Sequence, residues 1–117
     1  MPKAKNRWER AVQVLRWLKD EFNLPDIQLR VETEIDGDET MGQVEEIDGR
    51  LVIFLSAKMN RSVDETINTV IHEAAHAKLW HKGLGHLHGP VFWKTYGRMM
   101  DAMDHHGHLD SRTFPVD

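Results

Sequence analysis

The sequence predicts an α+β fold that consists of one helix, three short strands and two further helices. Three observations lead to this fold class. Apolar residues recur at helical spacing near the start of the chain, alternating and continuous apolar runs occupy its middle, and a second helical pattern follows a capping signal. A length of 117 residues suits one domain spanning residues 1–117, in which a polar tail is expected from about residue 105.

The composition excludes several classes of protein. With 40% hydrophobic and 29% charged residues the chain resembles a soluble globular protein, not a disordered one. No apolar run is long enough to span a membrane. The absence of cysteine excludes disulfides and thiolate metal sites. A formal net charge of -4 argues weakly against binding through nucleic-acid phosphates, and the basic start lacks the features of a secretory signal, so a cytoplasmic location is expected.

The first helix is predicted over about Arg7 to Phe22, where apolar residues repeat with helical period. Pro25 ends this element, and the alternation from Ile27 to Val31 predicts a half-buried strand. The acidic, turn-rich stretch 32–42 is expected to be a solvated loop.

A β-hairpin is predicted over residues 43–56. The dipeptide Asp48-Gly49 supplies a two-residue turn between the strand segments 43–47 and 50–56. The continuous apolar run from Leu51 to Leu55 predicts a strand that is buried on both faces.

Two helices are predicted in the second half. Ser62 and Glu65 form a capping box that begins a helix running to about His81, with glycines 83 and 85 ending it. Gly89-Pro90 begins the last helix, since proline suits the first helical position. The apolar residues of this last helix are expected to pack in the core: Phe92, Trp93, Tyr96, Met99, Met100 and Met103.

The capped helix contains the sequence His72-Glu73-Ala74-Ala75-His76. Histidines four residues apart lie one turn apart on the same helical face, so both imidazoles can reach one ion. Glu73 is turned about 100° from His72, which suits a base acting on water near that ion. The pattern therefore predicts a zinc site with a catalytic carboxylate.

A catalytic zinc site takes three protein ligands. His81 is expected to point away from the face shared by His72 and His76, and the histidines of the tail are expected to be solvated. Both His86 and His88 lie in the glycine-bearing loop that can fold back over the helix. The direction of His88 is better fixed, because Gly89-Pro90 follows it at once. The candidates for the third ligand are His81, His86, His88, His105, His106 and His108.

The segment from His72 to Trp80, followed by a short loop and by His88-Gly89-Pro90-Val91-Phe92-Trp93, resembles the SprT-like family of small zincin metallopeptidases. The resemblance covers about Thr66 to Met100. It implies a zincin-like minimal core, Zn²⁺ bound by His72, His76 and His88, and Glu73 as general base. The implied activity is metal-assisted hydrolysis of a protein or peptide substrate; a DNA-linked context would follow from the resemblance alone.

The sequence departs from the family pattern where Gly85-His86-Leu87 precedes His88, which keeps His86 open as the third ligand. Further roles also stay open. Tyr96 or His86 is a candidate for oxyanion support, Asp101 or Asp104 for orienting a ligand histidine, and an exposed sheet edge for binding an extended substrate.

Two other functions compete with peptide hydrolysis. A metal-dependent ribonuclease of the YbeY type also uses three histidines, but its pattern lacks the glutamate that Glu73 supplies. A non-proteolytic zinc-binding module would have a closed site, in which a fourth histidine completes the ligand set.

Overall fold

A computed structural model of the chain describes residues 6–36, 39–84 and 88–105. The elements are helix α1 (Arg7–Phe22), strands β1 (Ile27–Glu32), β2 (Gly42–Ile47) and β3 (Arg50–Ser56), helix α2 (Val63–Leu79), a 3-10 turn (Trp80–Lys82) and helix α3 (Pro90–His105). The predicted α+β fold class, with three strands and a hairpin, is confirmed.

The three strands form a mixed sheet in the order β1-β3-β2. β3 is parallel to β1 and antiparallel to β2, to which the turn Asp48-Gly49 connects it. Both turn residues have positive φ, 51° at Asp48 and 80° at Gly49, as a tight hairpin turn requires. β1 and β2 are therefore the two edges of the sheet.

The core lies between one face of the sheet and the helices. β3 is central, and Leu51, Val52, Ile53 and Leu55 are at most 2% exposed, whereas Phe54 is only partly buried. The predicted burial on both faces therefore holds for much of the strand and not for all of it. Helix α2 lies at the centre of the helical layer, where it contacts α1, α3, β2 and β3. The site-bearing helix is therefore fixed from several sides.

Local signals begin and end the helices. The side chain of Asn6 accepts hydrogen bonds from the backbone N–H groups of Trp8 and Glu9 at the start of α1. The predicted capping box also forms, since Ser62 accepts from the Glu65 N–H and donates to the Glu65 carboxylate. The last turn of the predicted second helix is the 3-10 segment, which ends at Gly83 with φ of 74°. Gly85 lies outside the described residues.

The prediction that Trp93 packs in the core is wrong, because its side chain is 54% exposed. Phe92, Met99 and Met103 form the buried stripe of α3, while Tyr96 and Met100 are partly buried against it. Trp93 directly follows Phe92 and so projects about 100° away from that stripe. In the described part of the chain, no helix has the length and apolarity needed to cross a membrane.

Candidate metal centre

Three histidine side chains meet between α2 and the start of α3. The Nε2 atom of His88 lies 3.0 Å from Nε2 of His76 and 3.3 Å from Nε2 of His72. His72 and His76 lie one turn apart on the same face of α2. His88, two residues before the start of α3, lies beside them. The expected group of three is thus brought together.

These two nitrogen separations are close to those around a single tetrahedral ion. Zinc–nitrogen bonds of about 2.0–2.1 Å place two ligand nitrogens about 3.3–3.4 Å apart. Hydrogen bonding explains the cluster less well, because one proton on Nε2 of His88 can serve only one of its two neighbours. The residues therefore fit a metal ion, and the group can hold one.

The other predicted ligands lie elsewhere or outside the described residues. His81 and His105 are exposed and do not belong to the histidine group, as predicted for both. His86, His106 and His108 lie outside the described residues. Within the residues that the structure describes, no fourth histidine, aspartate or glutamate joins the three.

Phe92 forms an aromatic wall behind the three imidazoles. Its ring stacks on His76 with a centroid distance of 4.3 Å and also contacts His72 and His88, at 5.0 and 4.9 Å. Only 1% of its surface is exposed. Phe92 is predicted to pack in the core, and its ring also contacts all three imidazoles.

Glu73 lines the same cleft as the three histidines, a cavity of about 260 Å³ whose opposite wall is the strand segment Gly42–Val44. Its side chain is only 6% exposed. Burial penalises the charged carboxylate and raises the pKa of Glu73 from 4.5 to about 7. A base with a pKa near neutrality suits proton transfer at physiological pH.

Burial also tunes His72. Burial away from solvent is the main cause that lowers the pKa of His72 below its ordinary value of 6.5, and charge repulsion from His88 is the smaller cause. The imidazole is therefore kept in the neutral form that a metal ligand requires.

The pKa of Glu73 predicts how the stability of the metal-free protein depends on pH. Between pH 4.5 and 7 the native state keeps a proton on Glu73 that the unfolded chain has released. The contribution of Glu73 to the free energy of unfolding therefore falls as the pH rises, and it is lost above pH 7. The rise from 4.5 to about 7 corresponds to about 3 kcal/mol. Urea unfolding of the metal-free wild type and of Glu73→Gln at pH 5 and pH 8 measures this loss of stability. If both proteins lose the same free energy of unfolding between the two pH values, the prediction is contradicted.

The structure also locates the residues with secondary roles. The Tyr96 hydroxyl donates to Oδ1 of Asn68, and its ring lies 5.6 Å from that of His72. Asp101 and Asp104 are exposed on α3, and among the described residues neither forms a hydrogen bond with a histidine of the group. Two further residues line the cleft that no sequence pattern predicts: Trp80, one turn beyond His76, and Gly42 on the opposite wall.

Gly42 permits the close approach of β2 to α2. A Cβ atom added there would lie 2.6 Å from Cγ2 of Thr69 and 3.1 Å from Cγ of Glu73. We expect Gly42→Ala to destabilise the protein by about 1–3 kcal/mol, because the strand must move away from the helix. Chemical denaturation measures the effect, with Gly97→Ala as control, since a Cβ there would meet nothing within 4 Å. Equal stability of the Gly42→Ala variant and the wild type would show that the strand has room to shift.

Comparison with known families gives one finding. The model of the SprT-like family matches residues 9–114, a span that contains all three histidines and Glu73. Comparisons with curated proteins and with solved structures give no significant match.

Proposed function

Because the chain belongs to the zincin-like SprT-like family, we propose that it is a zinc-dependent metallopeptidase that hydrolyses internal peptide bonds of a protein substrate. One observation carries the proposal. Three imidazole nitrogens converge at the separations of a tetrahedral ion, in the same cleft as a buried carboxylate whose pKa lies near neutrality.

In this proposal His72, His76 and His88 hold the ion through their Nε2 atoms. Three neutral nitrogen donors without thiolate or further carboxylate are the ligand set of a catalytic zinc ion. When bound, zinc polarises a carbonyl group and lowers the pKa of water. Phe92 keeps the rings in place and excludes solvent from their rear side.

Glu73 acts as the general base. Its carboxylate removes a proton from the attacking water, whose oxygen forms a bond to the scissile carbonyl carbon. The same carboxyl group then gives this proton to the departing amine as the carbon–nitrogen bond breaks. The burial of Glu73 supports both roles. It raises the pKa to about 7, so the protonated and deprotonated forms of the side chain have similar free energies at pH 7.

The free edge of β2 is the binding site that we propose for the substrate backbone. In the antiparallel ladder, Gln43 and Phe54 are paired residues, and the Ser56 N–H donates to the Met41 carbonyl. The alternation of such ladders turns the N–H and C=O groups of Gly42 and Val44 outward. An extended peptide added there would run along the wall of the cleft that faces Glu73.

Incubation of the zinc-loaded chain with a peptide library, with products identified by mass spectrometry, tests the proposed function. We expect new internal termini that require zinc and that do not form with the His76→Ala variant. An RNA substrate is included in parallel. Two outcomes would contradict the peptidase function. In the first, the zinc-loaded protein cleaves RNA and no peptide; in the second, it cleaves neither substrate.

A further inference from the structure

A fully buried asparagine lies between the end of β3 and the start of α2. Asn60 is 0% exposed, and its side-chain amide forms three hydrogen bonds. Nδ2 donates to the carbonyl oxygens of Met41 at 2.8 Å and Ser56 at 2.7 Å, and Oδ1 accepts from the Thr69 hydroxyl at 2.7 Å. One amide therefore joins the residue before β2, the end of β3 and the middle of α2.

The backbone of Asn60 is fixed as well. Its N–H donates to the Ser56 carbonyl at 3.1 Å, and its own carbonyl accepts from Nε of Arg7 at 2.9 Å. A buried hydrogen-bonded network of this kind favours one geometry, because a shift of one member leaves a buried polar atom without its partner. An apolar residue at this position would pack without specifying that geometry.

Thr69 extends this network to the wall of the candidate cleft. Its hydroxyl lies 2.7 Å from Oδ1 of Asn60 and 2.8 Å from the Glu65 carbonyl oxygen, so these two acceptors share its single proton, whereas its methyl group Cγ2 faces Gly42. Glu73 lies one helical turn further on and packs against the same glycine. The two sides of Thr69 thus connect the buried amide to the strand that lines the cleft opposite Glu73.

We infer that Asn60 and Thr69 are positioning residues that set the distance between strand β2 and Glu73. The hydrogen bond from Nδ2 of Asn60 to the Met41 carbonyl holds the start of β2 near α2, and the Thr69 methyl group limits its approach. Among the described residues, the hydrogen bonds of the Asn60 and Thr69 side chains involve none of the three histidines. The network therefore fixes where a substrate on β2 lies relative to the base, without affecting metal binding. The kinetic part of the inference rests on the proposed peptidase function.

Two substitutions at Thr69 separate the effect of its hydrogen bond to Asn60 from the effect of its methyl contact with Gly42. Thr69→Val keeps the branched shape but leaves Oδ1 of Asn60 without its donor, so β2 loses its fixed position. A displacement of about 1 Å reduces rates by up to about 100-fold. We expect kcat to fall about 10- to 100-fold, KM to change less, and zinc affinity to stay within about twofold. Gly42→Ala should be similarly impaired, and Thr69→Ser should partly restore its kcat by removing the clashing methyl group.

Leu18→Ala is the control for stability, because it removes a fully buried side chain of α1 that does not line the cleft. At a temperature where all variants are folded, it should leave kcat unchanged. Full kcat in Thr69→Val, a parallel loss of zinc affinity, or no rescue of Gly42→Ala by Thr69→Ser would each overturn the inference.

Hydrogen exchange gives a readout that does not need peptidase activity. The Ser56 N–H bonds to Met41, so its exchange reports how firmly the start of β2 is held. We expect faster exchange of this amide in Thr69→Val, with the amides of α2 unchanged. Unchanged exchange at Ser56 would contradict the positioning role even if the wild type proved to have no peptidase activity.

Discussion

Replacement of Glu73 by glutamine is expected to reduce peptide hydrolysis by about 10²–10⁴-fold, the usual contribution of a general base. Glutamine has nearly the same shape and fits the same buried position beside Gly42, but it cannot accept the proton of the attacking water. Because the three histidines are unchanged, the variant should bind zinc as the wild type does.

Steady-state kinetics on one cleaved peptide, together with the zinc content of the same sample, measure this effect. Glu21→Gln, at an exposed position near the end of α1, is the matched control and should keep full activity. If Glu73→Gln cleaves as fast as the wild type, Glu73 is not the base. If it loses zinc, its side chain is part of the metal site.

Removal of the metal is expected to abolish hydrolysis and to lower the thermal stability strongly. A ligand that binds only the native state at a thousand times its dissociation constant stabilises it by about 4 kcal/mol. For a domain of this size, about 4 kcal/mol corresponds to a rise in Tm of roughly 15 °C. Three ligands from α2 and the start of α3 would be joined by one ion, which accounts for such a gain.

Calorimetry of the protein with excess zinc and with a chelator measures this shift. His76→Ala should show no difference between the two conditions, whereas His81→Ala, at an exposed position outside the histidine group, should respond as the wild type does. An equal zinc response in His76→Ala would place the stabilising ion at another site.

Much of the fold follows from local patterns in the sequence. The capping box at Ser62, the turn at Asp48-Gly49 and the apolar run of β3 each depend on nearby residues, and each forms as predicted. The sheet order β1-β3-β2 could not be predicted in this way, because the parallel pairing of β1 with β3 depends on contacts between distant segments. Trp93 was misplaced because helical spacing alone does not limit the width of the buried stripe on α3.

In the candidate site, too, the features set by neighbouring residues can be predicted from the sequence, and those set by contacts between distant segments cannot. The pair His72 and His76 is visible in the sequence because both lie on one helix, and Glu73 is adjacent to the first of them. The sequence alone could not decide between His86 and His88, since loop conformation selects between them, and the structure brings His88 to the pair. The opposite wall at Gly42 carries no sequence signal, because a glycine at the start of a strand has many other uses.

Zinc titration of the full chain, monitored by calorimetry, tests most directly whether two imidazoles of α2 and one from the residues just before α3 bind one ion. The ligand set His72, His76 and His88 predicts one equivalent of zinc in the wild type and in His86→Ala. Binding in His88→Ala should be weakened by more than the roughly 10- to 100-fold that loss of a residue supporting a ligand costs. Tight binding by His88→Ala, together with its loss in His86→Ala, would contradict the site described for this protein.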